Sequence, residues 1–148
     1  MSVDPTYEPR EGLTHRDADW SEIEVLVVGL GVSGFAAADA LAERGARVTA
    51  VSRDVTDVIS ERATILEILD VDVRLGPEHV TAPPSGTQLI VTSPGVPPHD
   101  PLMLSAATDG IPVWGEVELA WRMRAQEGAA PWLTVTGTNG KTTTVGML

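Results

Sequence analysis

The chain contains no cysteine. That removes disulfide frameworks, zinc–thiolate sites and thiol nucleophiles from consideration. It also lacks any long apolar run: nothing approaches the roughly 18 residues of a membrane span, and the first twenty residues hold no secretory apolar core. A cytoplasmic, soluble protein with no membrane partner is the expectation. Positive charge is scarce. Ten Lys and Arg residues face 21 Asp and Glu, for a net charge of −11, and the ten are scattered. Without a basic patch a nucleic-acid backbone would be repelled, so no nucleic-acid partner is expected.

What is present suits a globular fold. The 148 residues are 43% apolar, enough for one good core and a fragment of a second domain. The opening "MSVDPTYEPREGLTHRDADW" is the exception, polar and interrupted by proline, so residues 1–19 read as a loose polar arm. After it, "EVLVVGLG" is an apolar run ending in glycines, which suits a buried parallel strand over Glu24 to Val28. The alanine-rich "VSGFAAADALAERGA" reads as a helix stopped at Gly45, and "RVTAVS" as a second strand. "VISERATILEILD" sets Ile59, Ala63, Leu66 and Leu69 on one helical face, and "VDVRLG" follows as a third strand.

A fourth strand, Leu89 to Thr92, runs into the proline-stiffened "SPGVPPHDP". A short helix then opens at Pro101 and closes at Gly110. "IPVWGEVELAWRMRAQEG" reads as a short strand and a helix to about Gln126, with Val117, Ala120, Trp121 and Arg124 on one side. Trp114 and Trp121 are expected in the core, and Glu118 is spaced to pair with Arg122 one turn on. "WLTVTG" is one more strand, entering a terminal glycine loop. Strands alternating with helices imply an α/β parallel sheet with right-handed crossovers and helices on both faces.

Two glycine loops carry the chemistry. Gly29-Leu30-Gly31-Val32-Ser33-Gly34 matches G-x-G-x-x-G between a strand and a helix, the setting in which the pattern has meaning. Gly29 allows the tight turn, Gly31 allows a diphosphate to approach the backbone, and Gly34 allows close helix–strand packing. The helix start favours an anion there. A dinucleotide site would place an acidic residue at the end of the second strand; this chain has Ser52 there, then Arg53 and Asp54. Taken alone, Ser52-Arg53 favours NADP over NAD. A solvated turn is the plainer reading of Arg53-Asp54, and both stay open.

The second loop, "TGTNGKTT", ends in Gly140-Lys141-Thr142. In a phosphate-binding loop the backbone N–H groups cradle phosphates, a lysine neutralises them and a hydroxyl ligates Mg²⁺. The full G-x-x-x-x-G-K-[ST] pattern fails because Val135 stands at its first position, so this is a shorter variant.

Taken together, "VVGLGVSG", "VTSPGVPPHDP", "GEVELAW" and "TVTGTNGKTTT", in this order and separation, resemble the Mur ligase family of peptidoglycan synthesis. The resemblance covers about residues 23–148 and is finest to the members that add D-glutamate to UDP-N-acetylmuramoyl-L-alanine. It implies a Rossmann-like UDP-sugar domain over 20–128 and, over 129–148, the opening strand and P-loop of an ATPase domain. It implies ATP and Mg²⁺ as cofactors and an acyl phosphate that the D-glutamate amine attacks. By the same resemblance the UDP-sugar contacts are Gly31, Val32, Ser33, Ser52, Arg53, Ser93, Pro94 and Gly95. The ATP contacts are Gly137, Thr138, Asn139, Gly140, Lys141, Thr142 and Thr143, with Lys141 catalytic and Thr142 on the metal. Ser52 departs from the family's commoner acidic residue. The alternative is an NADP-binding domain of an oxidoreductase or redox-sensing regulator.

Overall fold

The computed structural model describes residues 12–147. Five strands form one parallel sheet in the order β3-β2-β1-β4-β5: β1 Glu24–Val28, β2 Arg47–Ser52, β3 Asp72–Leu75, β4 Leu89–Thr92 and β5 Val113–Gly115. β1 lies at the centre, with Val28 level with Val51 of β2 and Thr92 of β4. A strand of a parallel sheet covered by helices on both faces must be apolar on both, and β1 is: Val25 and Val27 enter one core cluster, Leu26 and Val28 the other. Each such fully buried side chain contributes about 1.5–3 kcal/mol.

Helices cover both faces. On one, α1 (Val32–Ala42) buries Ala37, Ala38 and Leu41, α2 (Asp57–Ile68) buries Leu66, and α4 (Glu116–Arg122) buries Leu119. On the other, α3 (Pro101–Thr108) buries Leu102, Met103 and Ala106. The caps explain where the helices begin. The Ile59 N–H donates to the Thr56 hydroxyl at the head of α2, and the Leu102 N–H donates to the Asp100 carboxylate at the head of α3 (3.0 Å).

Four expectations change. Residues 12–19 are not a loose arm, while 1–11 lie outside the described residues. Leu13 and Trp20 are each 1% exposed, and Trp20 meets Trp114 edge-to-face with ring centroids 6.4 Å apart. Arg122 binds this segment down: its guanidinium lies 4.2 Å over the Trp114 ring, donates to the Leu13 carbonyl (2.9 Å) and pairs with Glu118 (2.7 Å). The expected Glu118–Arg122 pair therefore forms, but with the arginine largely enclosed.

Secondly, α4 ends at Arg122, four residues short of Gln126, because the Trp121 carbonyl is taken by the Arg124 backbone and side chain and the Arg124 carbonyl accepts from the Arg16 N–H. Thirdly, α4 turns Leu119 and Met123 inward; Val117 and Trp121 remain exposed, and Trp121 packs edge-to-face on Trp132 instead. Fourthly, no strand forms over residues 132–135. A strand needs a neighbour for its N–H and C=O groups, and the described residues supply none beside this segment, which stays exposed. A short helix α5 (Lys141–Val145) does follow Gly140.

Candidate functional site

From β1 the chain winds outward through β2 to β3, then returns to the opposite side of β1 as β4 and β5. Such a reversal opens a crevice outside the carboxyl ends of the two strands that flank it. Here a cleft of about 470 Å³ lies there, and three loops line it. The β1–α1 glycine loop contributes Gly29 to Ser33; the end of β2 contributes Ser52, Arg53 and Asp54; the loop after β4 contributes Ser93 to Pro97, with Asp100. Ile59 of α2 and Val80 add apolar wall. All eight residues expected to contact a UDP-sugar, Gly31, Val32, Ser33, Ser52, Arg53, Ser93, Pro94 and Gly95, therefore meet in one cleft.

The glycines of the first loop do different work. Gly29 has φ +91°, a left-handed conformation that disfavours any side chain. A Cβ on Gly34 would lie 1.7 Å from the Gly29 carbonyl oxygen, so α1 can start this close to β1 only with glycine there. Gly31 is the contrast. Its φ of −64° is ordinary and a Cβ would meet nothing within 4 Å. Its missing side chain leaves open space at the cleft wall, beside a helix start that no side chain caps.

The loop after β4 is tied to the glycine loop. The Ser93 N–H donates to the Val28 carbonyl (3.0 Å), and the Ser93 hydroxyl donates to the Gly29 carbonyl (3.2 Å). Ser52 is 4% exposed and its hydroxyl donates to the Asp54 carbonyl (3.1 Å), so the side chain shapes the strand-end turn from within. Arg53 reaches across to Asp100, Nη2 to Oδ2 at 2.9 Å. The same carboxylate caps α3 through its other oxygen, which fixes the arginine against a rigid partner.

Two participants were not identified from sequence. Asp100 pairs with a residue far away along the chain, and no local pattern announces that. Arg62, on α2, donates from Nη1 to the Leu30 carbonyl (2.9 Å) in the middle of the glycine loop. The only signal available for it was its place one turn after Ile59, on the side of α2 that looks toward the cleft.

The second glycine loop stands apart from the cleft. Gly137 to Thr143 are exposed, and none of them lines it. Gly140 has φ +79° and leads directly into α5, and the Lys141 ammonium folds back to donate to the Gly137 carbonyl (2.5 Å). The described residues hold no cluster of three or more His, Asp or Glu side chains able to bind a metal, and no helix long and apolar enough to cross a membrane.

Comparison with known proteins gives this geometry a context. A family model described as the N-terminal domain of MurD-like Mur ligases matches residues 23–115. A protein named UDP-N-acetylmuramoylalanine–D-glutamate ligase from Frankia casuarinae is 55% identical over 129 residues, covering 87% of this chain and 26% of its own length. Its namesake from Streptomyces avermitilis is 54% identical over 130 residues, 88% of this chain and 27% of its own length. That from Tropheryma whipplei strain Twist is 39% identical over 144 residues, 90% and 27%. The chain thus spans about a quarter of the length of the curated relatives it matches. The matched stretch runs from the residue before β1 to the end of β5 and so takes in every loop that lines the cleft: the chain belongs to the MurD-like Mur ligases and contains their N-terminal domain.

Proposed function

We propose that this chain is the UDP-substrate-binding part of an ATP-dependent ligase that joins D-glutamate to UDP-N-acetylmuramoyl-L-alanine in peptidoglycan synthesis, in the cytoplasm. One observation carries the reading: the eight residues assigned to the UDP-sugar by resemblance all line a single cleft at the reversal point of the sheet. In this reading residues 20–128 form the UDP-sugar domain and residues 129–148 are the front of an ATP-binding domain. The diphosphate approaches the backbone at Gly31, Val32 and Ser33, where the start of α1 offers N–H groups and a positive dipole end. The uridine lies toward Ser52, Arg53 and Ser93 to Gly95.

The terminal loop suits ATP by residue type and by conformation. Gly137 and Gly140 adopt positive φ, Lys141 already lies against its own loop, and the Thr142 hydroxyl stands at the head of α5. Gly137, Thr138, Asn139, Gly140 and Thr143 would wrap the phosphates. Lys141 would exchange the Gly137 carbonyl for phosphoryl oxygens, and Thr142 would hold Mg²⁺. Bound there, the ion would supply charge neutralisation for phosphoryl transfer. The substrate carboxylate would take the γ-phosphoryl group of ATP and release ADP; the D-glutamate amine would then attack the acyl carbon, forming the C–N bond, expelling inorganic phosphate and giving up a proton.

The NADP reading loses support at Arg53. A 2′-phosphate at the end of β2 would have to compete with Asp100 for that guanidinium while facing Asp54. Calorimetric titration with UDP-N-acetylmuramoyl-L-alanine, UDP and NADP tests the proposal. Binding of the two uridine ligands is expected; binding of NADP with neither of them would refute it. Given UDP-N-acetylmuramoyl-L-alanine together with ATP, Mg²⁺ and D-glutamate, a chain spanning about a quarter of its relatives' length is expected to form no amide product.

A further inference from the structure

Arg62 stands out among the cations near the cleft. Arg53 is held by Asp100, whereas among the described residues Arg62 pairs with no carboxylate and makes one hydrogen bond, from Nη1 to the Leu30 carbonyl (2.9 Å). A guanidinium has five N–H donors, so this one keeps most of its donor capacity and its full charge. It does so in a chain of net charge −11 with only ten Lys and Arg residues. The bond also spans the fold, from the middle of α2 to the loop between β1 and α1.

The acceptor matters more than the donor. Leu30 lies between Gly29 and Gly31, two glycines in a turn with little side-chain mass to hold it. A trans peptide keeps its C=O and N–H antiparallel, so fixing the Leu30 carbonyl fixes the orientation of the Gly31 N–H. The Leu30 carbonyl is drawn toward α2 by a charged donor, and such bonds are stronger than neutral ones. The Gly31 N–H must then point the other way. We infer that Arg62 is a positioning residue for diphosphate binding: it sets the Leu30–Gly31 peptide plane so that the loop N–H groups are preorganised for an anion. This rests on the UDP reading of the cleft and adds to it a residue on α2 that no glycine-loop motif includes.

The test compares UDP with uridine by calorimetry on this chain and on its Arg62→Met, Arg62→Gln and Arg62→Lys variants, with thermal melts alongside. Removing a charged hydrogen bond that orients the loop is expected to weaken UDP about tenfold or more in Arg62→Met and Arg62→Gln. Uridine affinity is expected to stay within about twofold, since its diphosphate is missing. Arg62→Lys keeps a cationic donor and is expected to recover most of the UDP affinity. In the ligand-free protein the Gly31 amide resonance is expected to shift in Arg62→Met and to return toward its wild-type position in Arg62→Lys. Wild-type UDP affinity in a folded Arg62→Met or Arg62→Gln chain would overturn the inference while leaving the UDP reading intact. Equal loss of UDP and uridine would also overturn it, because general loosening would then be the cause. Failure of the wild-type chain to bind UDP would remove the reading beneath it.

Discussion

A methyl group placed on Gly34 would put its carbon 1.7 Å from the Gly29 carbonyl oxygen, 2.8 Å from the Gly29 carbonyl carbon and 2.9 Å from the Ser93 hydroxyl. Carbon and oxygen in ordinary contact lie about 3.3 Å apart, so the first approach is short by about 1.6 Å. Both partners are backbone, one at the end of β1 and the other in the first turn of α1. Neither can rotate away, and α1 must lift from the sheet edge. Forcing extra atoms into packed regions costs about 1–3 kcal/mol. Displacing Ser93 also breaks its bond to the Gly29 carbonyl, about 1 kcal/mol more.

Alanine in a helix works the other way, gaining about 0.5–1 kcal/mol over glycine. The clash wins, with a net loss of roughly 1–3 kcal/mol from a stability of about 5–15 kcal/mol. At about 3–4 °C per kcal/mol for a chain of this size, Gly34→Ala is expected to melt roughly 3–12 °C below the wild type, followed by circular dichroism. A Gly34→Ala protein melting at or above the wild-type temperature would show that the helix start is not held against β1 as described. The whole account of the glycine loop would fail with it.

Gly31→Leu is expected to do the opposite: its backbone is ordinary and its Cβ meets nothing, so stability should change by no more than about 1 kcal/mol from the altered cap, while UDP-sugar affinity falls more than about tenfold by calorimetry. Arg122→Met strips the Leu13 carbonyl of a charged donor and the Trp114 face of its cation, a loss of about 1–3 kcal/mol. Hydrogen–deuterium exchange over residues 12–20 should accelerate; unchanged exchange there would mean that Arg122 does not hold the segment. Asp100→Ala loses both the α3 cap and the Arg53 pair, whereas Asp100→Asn keeps a capping oxygen. Urea denaturation should place the alanine variant about 1 kcal/mol below wild type and the asparagine variant within about 0.5 kcal/mol of it.

The central strands were legible because their signal is local. β1, β2 and β4 are short apolar runs closed by glycine, serine or proline, and the sequence-based bounds coincide with Glu24–Val28, Arg47–Ser52 and Leu89–Thr92. The misreadings share one physical cause, dependence on a distant partner. Leu13 and Trp20 sit in a polar stretch whose average composition is that of a free arm, yet Trp114 and Arg122, about a hundred positions later, cover them. Over residues 132–135 the β-forming composition is real, but a strand exists only when another strand accepts its ladder. Trp121 does share a helical side with Val117 and Ala120, but that side faces outward, and its ring meets Trp132, eleven positions later, instead of the core. Asp100, which lines the cleft, and Arg62, which bonds its glycine loop, are hidden in the same way, defined by bonds across 47 and 32 positions.

The cleft shows why the first glycine loop could not name its own ligand. G-x-G-x-x-G specifies a turn, an open backbone and an anion at a helix start, and a diphosphate of any nucleotide satisfies all three. Selection belongs to the far end of the cleft, where the charged lining residues are Arg53, Asp54 and Asp100. In sequence, Arg53 stands alone after a strand and reads as a phosphate hook. In the fold it is committed to a carboxylate that is itself immobilised by the α3 cap, with side chains 53% and 11% exposed. One cation and two carboxylates give this end of the cleft a formal charge of −1, which repels a further phosphate more than an uncharged base or ribose. On the UDP reading proposed above, discrimination against NADP would fall to a long-range ion pair at the strand end, and not to the glycines that first draw attention to the site.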